Sequence, residues 1–335
     1  MDSLTQIVLG AAVGEVVLGR KVGNKAMLWG AIAGTIPDLD IIANFFVDDL
    51  TGNEMHRGFS HSILFSVLFA PILGWLIHRL YKNKPEATSK EWSWLAFWAL
   101  FTHPLLDCHT TWGTQLLWPL PYKLAWNNIF VVDPLYTLPF LILLIIAAFY
   151  KRTSSTRRKL NWAGILVSSS YLLWTLGVKW HVHDVFTDNL EAQKIEYTRI
   201  TTVPTPFNSI LWLGTVETDS AYQVGLYSLL DKDKNVTFDR INHNHFLLDS
   251  LQEEDVIKRL LFLSKDWYVV KQDSTGLHYF DARFGPMYQP GEKPSFVFGY
   301  NLKEERGRLK ALQHTRPTGK MSTALKELFT RMWGK

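Results

Sequence analysis

His61-Ser-Ile-Leu-Phe-Ser-Val-Leu-Phe-Ala-Pro-Ile-Leu-Gly-Trp-Leu-Ile-His78 runs eighteen residues without an Asp, Glu, Lys or Arg. A bilayer span needs roughly 20 apolar residues, within a range of about 17–25, so this stretch reads as a membrane helix. Working outward, five more apolar segments stand at about 4–19, 26–46, 92–107, 134–150 and 160–180. The last three qualify by the same rule. The first is short, rich in Gly and Ala, and carries Glu15; the second holds Pro37, Asp38 and Asp40 near its end. Small residues such as Gly10, Gly14, Gly30 and Gly34 let helices approach closely. These two segments therefore read as a tight hairpin that does not fully face lipid, or as a buried hairpin of a soluble fold. The expected fold is an α-helical polytopic membrane domain of about six helices over residues 1–180, followed by a smaller α+β soluble domain over 181–335.

Composition agrees once the two halves are separated. Hydrophobic residues make up 47% of the 335 and charged residues 20%, with a mean hydropathy of -0.01; these values average an apolar half and a polar one. Of the 14 Trp, several (Trp92, Trp94, Trp118, Trp126, Trp162, Trp180) stand where apolar runs meet polar ones, as in an interfacial aromatic belt. Cys108 is the lone cysteine, so no internal disulfide forms and the redox compartment stays open. The N-terminus lacks the basic stretch of a signal peptide, and the first apolar segment reads as retained.

Basic residues are unevenly shared among the connections. The stretches 20–25, 79–91 and 151–159 hold 12 Lys and Arg together, whereas 47–60 and 108–133 hold only Arg57 and Lys123. The positive-inside rule puts the first set in the cytoplasm. The N-terminus, the alternate connections and everything beyond about 180 then lie outside. Nucleic-acid binding is excluded, because the basic residues sit in these loops and no basic patch is interleaved with aromatics.

The C-terminal half alternates in Tyr197–Val203, Tyr222–Tyr227, Trp267–Val270 and Phe296–Phe298, which predicts short strands. Ser250–Leu263 has helical periodicity with acidic residues in its first turn. The tail 322–335 is basic and amphipathic and reads as a terminal helix, either solvated or lying on a membrane surface.

The chemistry concentrates in four places. Pro37-Asp-Leu-Asp40 puts two carboxylates at the end of an apolar segment, where they are expensive. His56-Arg-Gly-Phe-Ser-His61 follows in the next connection. His103-Pro-Leu-Leu-Asp107-Cys-His109 closes the fourth apolar segment, and Asp133-Pro134 opens the fifth. His103 and Asp107 are four residues apart, so a helix sets them on one face, suited to chelating one ion through an imidazole and a carboxylate. Each motif alone has an ordinary reading: a helix end, an interfacial histidine, a hydrogen-bonded pair, an N-cap with Pro at N1. Their convergence on one side of a membrane, argued separately from the charge count, points to a metal centre. The candidate ligands are Asp38, His56, His61, His103, Asp107, His109 and Asp133; Asp38, Asp40 and Arg57 are the candidate catalytic residues. His181 and His183, just past the last apolar segment, are further candidates. His and Asp donors without Cys suit Zn²⁺, with Mn²⁺ or Fe²⁺ as alternatives.

Met1-Asp-Ser-Leu-Thr-Gln6, Pro37–Asp40, His56–Ser62 and His103–Asp107 together resemble the YdjM-type family of inner-membrane metal-dependent hydrolases. The resemblance covers about residues 1–180, and the remainder resembles C-terminal regions of some longer members more loosely. That family is distantly similar to zinc-dependent phospholipase C and the S1/P1 nucleases, helical enzymes that hold a zinc cluster with His and Asp. The resemblance implies that His103 and Asp107 match their His-x3-Asp pair, and Asp38 and His61 their earlier ligands. Two departures stand out. Gln6 occupies a position where many relatives carry His. The soluble enzymes also use a processed N-terminal residue and a later His-x3-acid pair, and here His181 and His183 have the wrong spacing, which leaves the ion count open.

The function expected from this is metal-assisted hydrolysis of a phosphoester, in a small or lipid-linked substrate drawn from the membrane lipids. Asp38 would bridge ions or take the water's proton, Asp40 would orient a ligand histidine, and Arg57 would hold a phosphate oxygen. Two alternatives belong to other classes: a metal-binding transporter or sensor without chemistry, and a membrane anchor for a partner-binding domain. A polar ladder through the spans would mark a transporter, and only Glu15 and Ser66 offer one. No His-Glu-x-x-His and no Gly-x-Ser-x-Gly occurs.

Overall fold

The computed structural model describes residues 1–83, 85–287, 295–305, 307–314 and 321–334. Lys84, counted above among the basic residues, lies outside them. The chain divides into two compact units, 1–46 with 55–176 and 47–54 with 177–335.

The first unit opens on a helical hairpin, α1 (Ser3–Val22) and α2 (Asn24–Thr35), continued by a 3-10 segment, Ile36–Phe45. Asp2 caps α1, its carboxylate accepting the Thr5 N–H at 3.1 Å. α1 stops at Gly23, whose φ of 64° a residue without a Cβ adopts at no steric cost. The two helices then meet backbone to backbone. A Cβ at Gly10 would stand 2.3 Å from the Gly30 carbonyl oxygen, and one at Gly14 would stand 2.2 Å from that of Ala26. The small-residue stripe seen in the sequence is this seam.

After α3 (Asp49–Met55), α4 (Ile63–Leu80) begins at Ser62, whose hydroxyl accepts the Phe65 N–H at 3.0 Å. α5 (Ser89–Asp107) begins with a capping box between Thr88 and Glu91. α6 (Pro134–Ala148) has Asp133 at its N-cap and Pro at its first position, as expected. α7 (Ser155–Ala192) is 38 residues long. Leu18, Ala26, Leu73, Ile77, Trp92 and Leu95 form one buried cluster; Val8, Ala12, Tyr136, Phe140 and Leu144 form another, so α1 serves both. At the far end of α1, Glu15 and Arg157 form a buried bidentate ion pair, with Nε to Oε1 at 2.6 Å and Nη2 to Oε2 at 2.5 Å.

Among the described residues, three helical stretches are long and apolar enough to cross a membrane: Ser3–Val22, Asn24–Phe45 and Ile63–Leu80. Six were expected, and the shortfall falls on segments that the sequence favoured. α6 has 15 residues. α5 carries Lys90 and Glu91 in its first turn and His103 and Asp107 in its last, and the apolar part of α7 is diluted by Asn161 and Ser168–Ser170. The opening hairpin, read as the weaker candidate, supplies two of the three.

The second unit is rich in β-structure. β1 (Arg199–Pro204), β2 (Leu211–Glu217), β3 (Ala221–Ser228) and β4 (Phe238–Asn242) form an antiparallel meander. β5 (Tyr268–Asp273), β6 (Gly276–Asp281), β9 (Gly299–Glu305) and β10 (Arg308–Gln313) form a second antiparallel sheet in the order β10-β9-β6-β5, while β7 (Pro286–Met287) pairs with β8 (Ser295–Phe296). Gly214 and Gly225 face each other across β2 and β3 and leave room for Phe186; a Cβ at Gly214 would lie 2.3 Å from its ring. The helix predicted over 250–263 becomes a 3-10 turn, His245–Leu251, and α8 (Asp255–Ser264). Its Ile257, Leu260 and Leu263 pack with Leu50, Val270, Tyr279 and Leu302. The terminal helix α9 covers Met321–Met332.

Candidate metal centre

Four side chains from three elements converge. Asp38 comes from the 3-10 segment after α2, His61 from the turn that leads into α4, and His103 and Asp107 from the last turns of α5. One donor atom from each lies within 4.8 Å of all the others. The two Nε2 atoms of His61 and His103 are 3.1 Å apart. Asp38 Oδ1 stands 3.2 Å from His61 Nε2 and 3.4 Å from His103 Nε2. Asp107 Oδ2 stands 3.5 and 3.6 Å from the same two nitrogens.

Hydrogen bonding fixes which ring nitrogens are free to ligate. His103 Nδ1 is 2.6 Å from the carbonyl oxygen of Gly34, which only accepts, so the proton is on Nδ1 and the lone pair is on Nε2. His61 Nδ1 faces Ser60 Oγ at 3.0 Å and Asp40 Oδ2 at 3.3 Å, and the Ser60 hydroxyl donates to Asp40. The proton is again on Nδ1. The two Nε2 atoms therefore point into the cluster, 3.1 Å apart between two carboxylates. Such a set is repulsive until a cation or a proton enters it. Asp107 Oδ2 is buried and makes no well-aligned hydrogen bond, its nearest cation being Arg57 Nε at 3.1 Å. A tetrahedron of ligands at about 2.0–2.1 Å has six edges of about 3.3–3.4 Å; five of the separations here, 3.1–3.6 Å, bracket that value, and the two carboxylates lie within 4.8 Å of each other. The residues present can hold a single ion of zinc's size.

The neighbouring residues hold these ligands in place. Asp40 is absent from the cluster but accepts from His56 Nδ1 at 2.9 Å, from the Arg57 N–H at 3.1 Å and from Ser60 Oγ at 2.9 Å. Arg57 has a φ of 60°, a strained backbone for a side chain with a Cβ, and the Asp40 contact to its N–H helps to hold it there. Its guanidinium is buried, with Nη1 donating to Thr110 Oγ1 at 2.6 Å and Nε 3.1 Å from Asp107 Oδ2. Asp107 Oδ1 accepts from Gln6 Nε2 at 2.9 Å and from the amino nitrogen of Met1. Gln6 thus reaches the site through a ligand, with its own Oε1 buried and unbonded.

Of the seven candidate ligands, the cluster brings together Asp38, His61, His103 and Asp107. His56 turns to Asp40. His109 pairs through Nδ1 with Asn128 Oδ1 at 2.9 Å and packs on Trp126. Burial holds its imidazole below the ordinary value, against the opposing pull of Asn128. Asp133 caps α6 and accepts from Tyr171 at 2.9 Å. His181 and His183 are exposed on the part of α7 that belongs to the second unit. Gly34, Thr110 and Met1 escaped the sequence reading. Two of these contacts involve main-chain atoms, and residue type does not announce those.

Asp40→Asn leaves all four donors and removes the charge that fixes the His61 tautomer. Loss of such an outer partner costs about 10–100-fold in metal affinity. Competition with a chromogenic chelator is expected to show a drop in that range, and an unchanged affinity would remove Asp40 from this role.

No curated protein and no solved structure matches the chain. A family model described as YdjM inner membrane protein matches residues 1–182. That span contains the hairpin seam, all three apolar stretches and all four cluster residues, and the chain belongs to the YdjM inner membrane protein family.

Proposed function

We propose that this protein is a membrane-bound metal-dependent hydrolase acting on a phosphoester in an amphiphilic or lipid-linked substrate. The observation that carries this is the pair of His61 and His103 Nε2 atoms, 3.1 Å apart and flanked by the carboxylates of Asp38 and Asp107. When bound, a zinc-like ion lowers the pKa of a water to about 7 and polarises a phosphoryl oxygen. Asp38, the least buried of the four at 22% side-chain exposure, is the carboxylate placed to accept the water's proton. Asp40 holds His61 through Nδ1. Arg57 keeps Asp107 in position and sets a positive charge beside the cluster, where charge builds up on a phosphoryl group.

The uneven basic residues favour a multi-pass topology with the cluster and the second unit on the extracytoplasmic side. The similarity to zinc-dependent phospholipase C stays part of this proposal. The transporter reading is weakened by the state of its only ladder residues: Glu15 is locked to Arg157, and Ser66 Oγ donates to the Ser62 carbonyl.

The test is hydrolysis of bis(p-nitrophenyl) phosphate, p-nitrophenyl phosphate and phospholipid by the full chain in detergent. Activity is expected to require added Zn²⁺ or Mn²⁺, to vanish with chelator, and to vanish in His61→Ala. A metal-loaded protein that cleaves none of these substrates would overturn the reading.

A further inference from the structure

The carboxylates of the centre stand inside an apolar segment. Asn24–Phe45 as a whole is long and apolar enough to cross a membrane, and Asp38 and Asp40 lie within it. Five residues of 3-10 helix follow Asp40, about 10 Å of path at about 2 Å per residue. The segment is divided by direction. Asp38 and Asp40 turn to the histidines, while Leu39, Ile41 and Ile42 are half exposed and Phe45 is 84% exposed. Apolar surface of that kind is unfavourable in water and favourable against acyl chains.

A second apolar arm lies on the other side of the ligand-bearing turn. Residues 113–124 are closed by a bridge between Thr114 and Leu124. The tip, Leu116-Leu-Trp-Pro-Leu-Pro-Tyr122, has no charged residue, and Leu117, Leu120 and Tyr122 are 49–66% exposed. The base of this arm is tied to the metal-site turn: Gln115 N–H donates to the Arg57 carbonyl at 2.9 Å, and Ile63 N–H donates to that of Leu116 at 3.0 Å. From Trp118 a series of ring contacts runs through Phe59, Phe65 and Phe69 at 4.9, 5.5 and 5.1 Å. It ends on α4, itself long and apolar enough to span. The apolar surface around the cluster is thus continuous with the surface of a spanning helix.

We propose that the metal centre lies below the level of the lipid headgroups and is entered sideways from the leaflet. Residues 36–45 and the 116–122 tip form a collar against acyl chains, and the molecule that reaches Asp38 is a membrane lipid bearing a phosphate in its headgroup. The substrate half of this rests on the hydrolase reading; the depth half does not.

Depth is measured first. Phe45→Cys and Leu120→Cys are labelled with an environment-sensitive fluorophore in the full chain in lipid nanodiscs. Unsubstituted protein, with Cys108 buried, is the blank, and Lys232→Cys in the second unit is the aqueous control. Acyl-chain nitroxide lipids are expected to quench the labels at 45 and 120 at least two-fold more than aqueous iodide does, with the reverse at 232. Iodide-dominated quenching at 45 and 120 overturns the proposal. Leu120→Asp then tests substrate access. It is expected to lower hydrolysis of bilayer phospholipid at least ten-fold and leave bis(p-nitrophenyl) phosphate unaffected, with metal content retained. Unchanged lipid hydrolysis in that variant overturns lateral entry. An unaltered protein that cleaves neither substrate removes the hydrolase reading and with it the substrate half, while the quenching result still decides the depth.

Discussion

His103→Ala and Asp38→Asn are each expected to strip the purified protein of its divalent ion. The native chain should carry about one zinc or manganese per molecule, as a single cluster of four donors implies. His103 is fully buried, and its Nε2 lies 3.1–3.6 Å from a donor atom of each of the other three ligands, so its removal takes away one corner of the set. The loss of affinity should exceed the 10–100-fold that an outer partner is worth. His103→Ala also opens a hole in α5, and a misfolded variant would lose metal trivially. Asp38→Asn answers that objection, because Asp38 is partly exposed and the amide keeps the shape. Elemental analysis after gel filtration in detergent is the readout. Stoichiometric metal retained in both variants would remove this cluster as the binding site. Metal removal should also lower thermal stability, since an ion held at about a thousand times its Kd stabilises the native state by about 4 kcal/mol. Chelator should therefore shift the melting of the native protein and leave that of Asp38→Asn nearly unmoved.

Arg157→Ala is expected to cost about 3–5 kcal/mol, because it strands the Glu15 carboxylate in a buried site. Glu15 is 7% exposed and Arg157 2%. The guanidinium also donates to Asn24 Oδ1 at 2.6 Å and to the Tyr150 carbonyl at 3.1 Å, so four acceptors lose their donor together. Replacing both partners with apolar residues of similar size, Glu15→Leu with Arg157→Met, should recover most of the loss, since burying a charge pair is itself expensive. Denaturant titration in micelles would measure all three variants. A double variant as unstable as Arg157→Ala would show that the pair acts through shape and not through charge.

The four cluster residues were legible because their chemistry conflicts with their surroundings. Carboxylates inside an apolar run and a histidine four residues before an aspartate on a helix both stand out without a structure. What the sequence left open was direction. His56 and His61 bracket one short turn, and nothing in the residue types says that one faces Asp40 and the other Asp38. Asp133 and His109 lie outside the cluster and are engaged in an N-cap and an Asn128 contact. Asp40 was read as the carboxylate that orients a histidine of the site, and it stands 3.3 Å from His61 Nδ1. Glu15 shows the same limit at longer range, since its partner is 142 residues away and had been counted among the loop cations. All six apolar segments fall on helical stretches, but α5 and α7 carry polar residues and α6 is short, so only three are long and apolar enough to cross a membrane among the described residues. In the second unit, strands with clear alternation were found, but β2, with six of its seven positions buried, has no alternation to show.

The two anchored imidazole protons have a bearing on ion choice. Gly34 and Asp40 fix the rings before any ion arrives, so the four donors work as a gauge of fixed aperture. Calcium needs six to eight oxygens at about 2.3–2.6 Å, whereas this set offers two imidazole nitrogens and two carboxylates. The setting of His103 thus rests on a main-chain carbonyl of α2, which residue type does not announce.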